Sequence, residues 1–297
     1  MDSRWFYPPR NFAGLDAEKA SLASARILVL PVPYDSTTSY KTGAREGPQA
    51  ILDASGNLET FDHELGRETA DAGIHTLLEV APVMEGPRAM VERLYQIARE
   101  LTAHEKLLVM LGGEHLLSVA LVKAFAEKHP GLTVLQFDAH GDLRDRYLES
   151  QYTHACTARR IVELCPLVQV GIRSLSAEEW EFLGTHPPVT TFFAEENPLG
   201  EEALERLVAA LGPEVYITFD LDVLDPSVMP GVGNPEPGGL GWWETLRILR
   251  RVAQQRRIVG FDLMEYCPPE GNTAGAFTAA KLAYKLMGYC TQAWSPE

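Results

Sequence analysis

Side chains able to hold a metal ion fall at the ends of three apolar runs. In residues 132–142, LTVLQFDAHGD, such a run leads into Asp138, His140 and Asp142, at every second position. A strand repeats with period two, so an extended chain would turn all three to one side. A second run, VYITF at 215–219, ends in Asp220 and Asp222, followed by Asp225-Pro226. A third, LLVML at 107–111, ends in Gly112-Gly113-Glu114-His115. Acids and imidazoles gathered just past buried strands are costly to desolvate unless a cation joins them. Each run taken alone is equally a strand ending in a solvated polar loop. Three together point to a divalent metal.

Four aspartates and two histidines are too many for one first-row ion that shares its shell with water. They suit two ions bridged by carboxylates. Oxygen-rich shells with one imidazole each favour manganese, with iron, cobalt and zinc behind it. Four negative charges against four positive leave the pair near neutral, a setting in which bridging water is acidified at neutral pH. The chemistry implied is hydrolysis at an electrophilic carbon or phosphorus.

These residues need a scaffold that brings separate strand ends together. Apolar runs at 26–32 (RILVLPV), 107–111, 132–137, 167–172, 189–193, 215–219 and 257–263 read as strands, with a further one at 74–80. Helical spacing or helix-start signals mark 48–55, 87–104, 116–128, 155–164, 177–183, 201–211, 242–255 and 274–289. Residues 33–47 and 230–241 read as loops, and 58–69 as polar and irregular. Strands alternating with helices predict an α/β fold, one mainly parallel sheet of about eight strands with helices on both faces. Ligands in such sheets gather outside the carboxyl ends of the strands, where His115, Asp138, Asp220 and Glu265 all fall.

The 297 residues contain no linker-like stretch, so residues 1–297 are read as a single domain. The amino terminus lacks an apolar targeting segment and no stretch suffices to span a membrane, which predicts a soluble, cytoplasmic protein. Cys156, Cys165, Cys267 and Cys290 lack metal-finger spacing and read as reduced thiols. With 26 basic against 41 acidic residues the formal charge is −15. That balance disfavours nucleic acid and anionic membranes and favours a cationic substrate.

The segments GGEH (112–115), DAHGD (138–142), FDLDVLDPSVMPG (219–231) and FDLMEYCP (261–268) resemble, in order and spacing, the signatures of the ureohydrolase family of arginases and agmatinases. The likeness runs from about Pro31 onward. It implies a three-layer α/β/α fold and a binuclear manganese cluster that hydrolyses a guanidinium group to urea and an amine, in a trimer or hexamer. By position, one ion takes His115, Asp138, Asp142 and Asp220, and the other His140, Asp138, Asp220 and Asp222. His154 matches the family's loop histidine that shuttles protons to the leaving amine; unaided, it would read as a surface residue at a helix start. Glu265 matches the acid that pairs with the guanidinium; unaided, it would be an ordinary loop carboxylate. Asn234, where a threonine is common before Pro235, stands among the residues expected to meet the substrate. Glu114 replaces the usual aspartate. His63, His75, His104, His129 and His186 read as loop or helix-end residues without a role.

Gly171-Ile172-Arg173-Ser174-Leu175-Ser176 carries serines where arginases carry acids for an α-amino group, and residues 33–48 and 58–67 resemble the agmatinase branch. The expected substrate is agmatine or aminopropyl-agmatine, cleaved to putrescine or spermidine in polyamine synthesis. Arginine and the carboxylate-bearing substrates of guanidinobutyrase and formiminoglutamase are the alternatives, and a catalytically silent metal-binding homologue is a further one. Glu265, the acidic loop 145–149 and the net charge together predict an electronegative approach.

Overall fold

Short runs rich in Val, Ile and Leu cannot leave either face in water, so they assemble as a sheet covered on both sides. The computed structural model describes residues 10–185, 187–196 and 200–292. In chain order these form β1 (Ile27–Val32), α1 (Gly47–Ser55), the two-residue strands β2 (Phe61–Asp62) and β3 (Arg67–Glu68), β4 (Ile74–Thr76), α2 (Pro87–Thr102), β5 (Leu107–Gly112), α3 (Ser118–Lys128), β6 (Leu132–Phe137), α4 (Thr157–Val162), β7 (Leu167–Ile172), α5 (Ala177–Gly184), β8 (Val189–Phe193), α6 (Glu201–Ala210), β9 (Glu214–Asp220), α7 (Trp242–Gln255), β10 (Arg257–Met264) and α8 (Ala274–Cys290).

Eight strands make one parallel sheet in the order β4-β1-β5-β10-β9-β6-β7-β8. The chain leaves β5, skips two places to β6, runs out to the edge at β8, and returns to fill the gap with β9 and β10. The four central neighbours, β5, β10, β9 and β6, are thus the strands whose ends carry His115, Glu265, Asp220 and Asp138. Side chains alternate between two apolar layers. Ile27, Val29, Phe137, Phe219 and Leu263 pack with Ile51, Leu207, Leu249 and Leu282 on one face. Leu28, Leu30, Met110 and Val134 pack with Leu94, Leu121 and Ile161 on the other. The expected α/β/α architecture is the one observed.

Boundaries differ where local pattern was weak. Of the strand expected over 74–80 only β4 is regular, though Leu77 N and Val80 N still donate to Val29 O and Pro31 O of β1; His75 lies inside β4, its Nδ1 2.7 Å from Ala20 O. Residues 58–69 contain the β2-β3 hairpin, anchored by buried Lys285 bonding Asp62 Oδ1 at 3.0 Å. His129 caps α3 and lies 2.9 Å from Glu214. His186 and residues 1–9 lie outside the described residues. The four cysteines are free, and no described helix is long and apolar enough to cross a membrane.

One glycine decides the geometry of the site. A Cβ at Gly113 would sit 1.9 Å from the carbonyl oxygen of Tyr34. Its absence lets Glu114 N donate to Tyr34 O at 2.9 Å and Glu265 N donate to Gly113 O at 2.9 Å, tying the loop after β1, the turn after β5 and the end of β10 together.

Candidate metal and active site

His115 opens the turn after β5 and is buried. Its Nδ1 lies 3.1 Å from Asp138 Oδ2, 3.3 Å from Asp142 Oδ2 and 3.2 Å from Asp220 Oδ2. His140 Nδ1 lies 2.8 Å from Asp222 Oδ2 and 3.7 Å from Asp138 Oδ1. The structure therefore brings five of the six expected ligands into two adjoining groups that share Asp138, with the sixth, Asp142, beside His115. Asp220 sits in the His115 group, and its Oδ1 accepts Asp222 N at 2.9 Å.

The route to this convergence differs from the expected one. β6 ends at Phe137, and Asp142 has a positive φ of 51°, so the chain does not stay extended through 142. His140 instead bridges in parallel to Ser174, and the turn beyond it swings Asp142 back toward His115.

The donor set fits divalent ions. His115 Nδ1 has no hydrogen-bond partner although it is buried, and carboxylate oxygens surround it. Left to themselves these acids repel. Burial and Asp138 push the Asp142 carboxyl up to about 7, and burial and the neighbouring acids raise Asp138 and Asp220. Burial alone would lower the imidazoles, but Asp222 outweighs it for His140, raised to about 11, and the three carboxylates outweigh it for His115. Burial opposes ionisation of Asp222 too, yet His140 holds it low. A cation at each group would relieve this frustration.

A pH dependence follows for metal-stripped protein. Asp138, Asp142, Asp220, His115 and His140 all bind protons more tightly folded than unfolded, so from about pH 4 upward the folded state carries the excess protons. Stability contributed by these groups is then lost as pH rises. Asp222 acts in the opposite sense only below the ordinary carboxylate range. Chelator-treated protein is expected to melt lower at pH 8 than at pH 5.5, and added manganese to reverse that order, because metal binding strengthens as ligands lose protons. Calorimetric scans at the two pH values check this; equal or opposite slopes without metal would count against the cluster's electrostatics.

His154 heads a short 3₁₀ turn and faces the cluster across a cleft that Asn234 and Glu265 also line. Its ring sits 3.4 Å from Thr37 Oγ1 through Nδ1 and 3.3 Å from Ser39 Oγ through Nε2, and its backbone N donates to Thr37 Oγ1 at 3.0 Å. Burial, then the charge of His140, pulls it down to about 4. Glu114 supports this arrangement: its Oε2 accepts from Ser36 N, Thr37 N and the Thr37 hydroxyl at 3.0, 2.7 and 2.8 Å. The residue that departs from the family pattern thus grips the loop that touches His154. Asn234 Nδ2 lies 3.3 Å from Ser39 Oγ, on the same wall.

Glu265 holds a positive φ of 62° and is buried, with Oε1 accepting His115 N at 2.7 Å. Burial pushes it up to about 8, and no Lys or Arg among the described residues pairs with it.

The acids of loop 145–149 have basic neighbours. Arg144 and Arg146 stand beside its acids, and Asp145 is tied to Arg160 at 2.6 Å. Near the cluster stands a further acid, Glu236, half-buried, with Oε1 3.9 Å from His140 Nε2. Arg173 was also missed. Its guanidinium donates to the carbonyls of Gly171, Asp222, Val223, Glu236 and Pro237 at 2.8–3.2 Å, pinning the loop that carries Glu236 to the strand ends. An arginine directly after an apolar strand was the available signal.

The arginase family model matches residues 25–288. A protein from Synechocystis sp. named N(1)-aminopropylagmatine ureohydrolase is 39% identical over 290 residues, 95% of this chain and 94% of that protein. An agmatinase from Pyrococcus horikoshii is 34% identical over 286 residues, covering 95% of this chain and 98% of its own length. The crystal structure of an agmatine ureohydrolase of Thermoplasma volcanium superposes with a TM-score of 0.86 at 27% identity, covering 97% of each chain. The strand-end cluster, the parallel sheet and these matches agree: the chain belongs to the arginase family.

Proposed function

We propose that the chain hydrolyses the guanidinium group of agmatine, or of an aminopropyl-extended agmatine, to urea and the corresponding polyamine. Two manganese ions would be held, one by His115, Asp138, Asp142 and Asp220, the other by His140, Asp138, Asp220 and Asp222. When bound, the pair supplies positive charge that activates water and stabilises charge developing on the reacting group. The observation that carries the reading is Glu265, a buried carboxylate without a basic partner among the described residues, at the wall of the cluster. A guanidinium is planar and always charged, which suits it to such an acid. Glu265 and Asn234 hold the substrate's reacting end. Water adds to the guanidinium carbon, the bond from that carbon to the tail nitrogen breaks, and the proton the water gives up passes through His154 to that nitrogen, which leaves as the amine.

The tail selects the substrate. Ser176 is committed to the capping box of α5, its hydroxyl and Glu179 bonding each other, so no free acid stands there for an α-amino group. Arg144 lies over the Tyr147 ring and 3.9 Å from Glu179, leaving a substrate carboxylate without a dedicated basic pair. Glu236 suits a second cationic group. An unpaired desolvated carboxylate costs at least a few kcal/mol, so kcat/KM for agmatine is expected to exceed that for arginine by ~10²-fold or more. Urea release from agmatine, aminopropyl-agmatine and arginine at fixed manganese and salt measures it. Equal or better use of arginine would sink the polyamine reading and leave guanidinium hydrolysis standing.

A further inference from the structure

Beneath the cluster a row of polar side chains crosses the sheet in register: Thr191 of β8, Gln169 of β7, Gln136 of β6, Thr218 of β9 and Asp262 of β10. Gln136, Gln169, Thr218 and Asp262 are all 0% exposed, in strands otherwise apolar. Buried polar groups are tolerated when each finds its partner, and here none of the four is left without one. Thr191 Oγ1 donates to Gln169 Oε1 at 3.0 Å, Gln169 Nε2 to Gln136 Oε1 at 3.0 Å, and Gln136 Nε2 to Asp138 Oδ2 at 2.7 Å.

On the other side Asp262 accepts from the Tyr216 and Thr218 hydroxyls, both at 2.8 Å, and from Phe219 N at 3.2 Å. Thr218 has one proton, with Asp262 Oδ1 at 2.8 Å and Ser118 Oγ at 3.0 Å as its acceptors. Its oxygen is then an acceptor for His115 Nε2, 2.9 Å away. Whichever of the two takes that proton, the Thr218 oxygen is left to accept from His115. With its proton on Nε2, His115 turns the Nδ1 lone pair toward the three carboxylates.

We infer that Asp262 and Thr218 form a positioning relay that fixes the tautomer and ring orientation of His115, while Gln136 orients Asp138. The relay rests on the reading that His115 binds an ion. It serves one of the two ion positions only, because His140 directs its Nε2 toward Glu236 instead.

The test compares Thr218→Val, nearly the same shape without the hydroxyl, with Thr218→Ser, which restores it. Manganese binding is measured by competition with a chelator, and melting is measured without metal. The expected result is a dissociation constant 10–100-fold larger for one of the two ions in T218V, the usual effect of losing such a partner. T218S is expected to stay within about threefold of the parent for both ions. Parent-like constants for T218V, with or without a lower metal-free melting temperature, would reduce the row to packing and overturn the relay. So would a loss in T218S equal to that in T218V. A parent protein that binds no manganese would overturn the metal reading, and the relay with it.

Discussion

Asp220→Ala is expected to leave the protein with neither ion and with kcat lowered by roughly 10³-fold or more, the several kcal/mol that metal assistance contributes. Asp220 Oδ2 belongs to the carboxylate set around His115, and its other oxygen faces Asp222 across the Asp222 N–H bond. A carboxylate shared by two cations screens their repulsion, and its removal exposes each ion to the other. Metal-free variant and parent should melt within a few degrees of each other at pH 8. Relief of the repulsion among buried acids offsets the lost bond to Asp222 N, worth about 1 kcal/mol. Metal analysis by mass spectrometry decides the point. Two ions retained per chain would remove Asp220 from the bridging position.

His154→Ala is the second large effect, with the opposite signature. Both ions should remain and KM should change little, because the ring is not among the groups around either ion position. The expected loss is in kcat, by roughly 10²–10⁴, the usual worth of a positioned acid–base group. The depressed basicity of His154, down to about 4, makes it uncharged at neutral pH. A proton it receives is held weakly and passed on to an amine that is a far stronger base. Side-by-side steady-state kinetics and metal analysis separate this from damage to the cluster. An unchanged kcat would take His154 out of the mechanism.

Much of the molecule was legible before any coordinates. Apolar runs of strand length, such as those of β5, β6 and β9, report burial on both faces through composition alone. Acids and histidines directly after those runs could be placed at carboxyl ends because a strand has a direction that the chain itself supplies. Arginase-family membership was legible for the same reason: GGEH, DAHGD, FDLDVLDP and FDLMEYCP are contiguous segments in a set order.

What lay beyond reach depends on contacts between residues distant in the chain or on a single backbone angle. Period-two reasoning carried Asp142 to the correct neighbours by an incorrect path, since a positive φ at a non-glycine residue leaves no mark in the alternation of side chains. Loop 145–149 read as acidic because pairing with Arg160 is invisible from the loop's own composition. Glu114 read as a departure from the usual aspartate, and what it holds emerged only when the fold brought Thr37 against it and His154 against Thr37, across separations of 77 and 117 residues. Residue types and local spacing therefore determined the strands, the six candidate ligands and the class of chemistry. Tertiary structure alone decided by what path Asp142 reaches His115, what orients His154, and which way the buried protons point. Those features come from hydrogen bonds between strands and loops far apart in sequence, whose geometry no local pattern encodes.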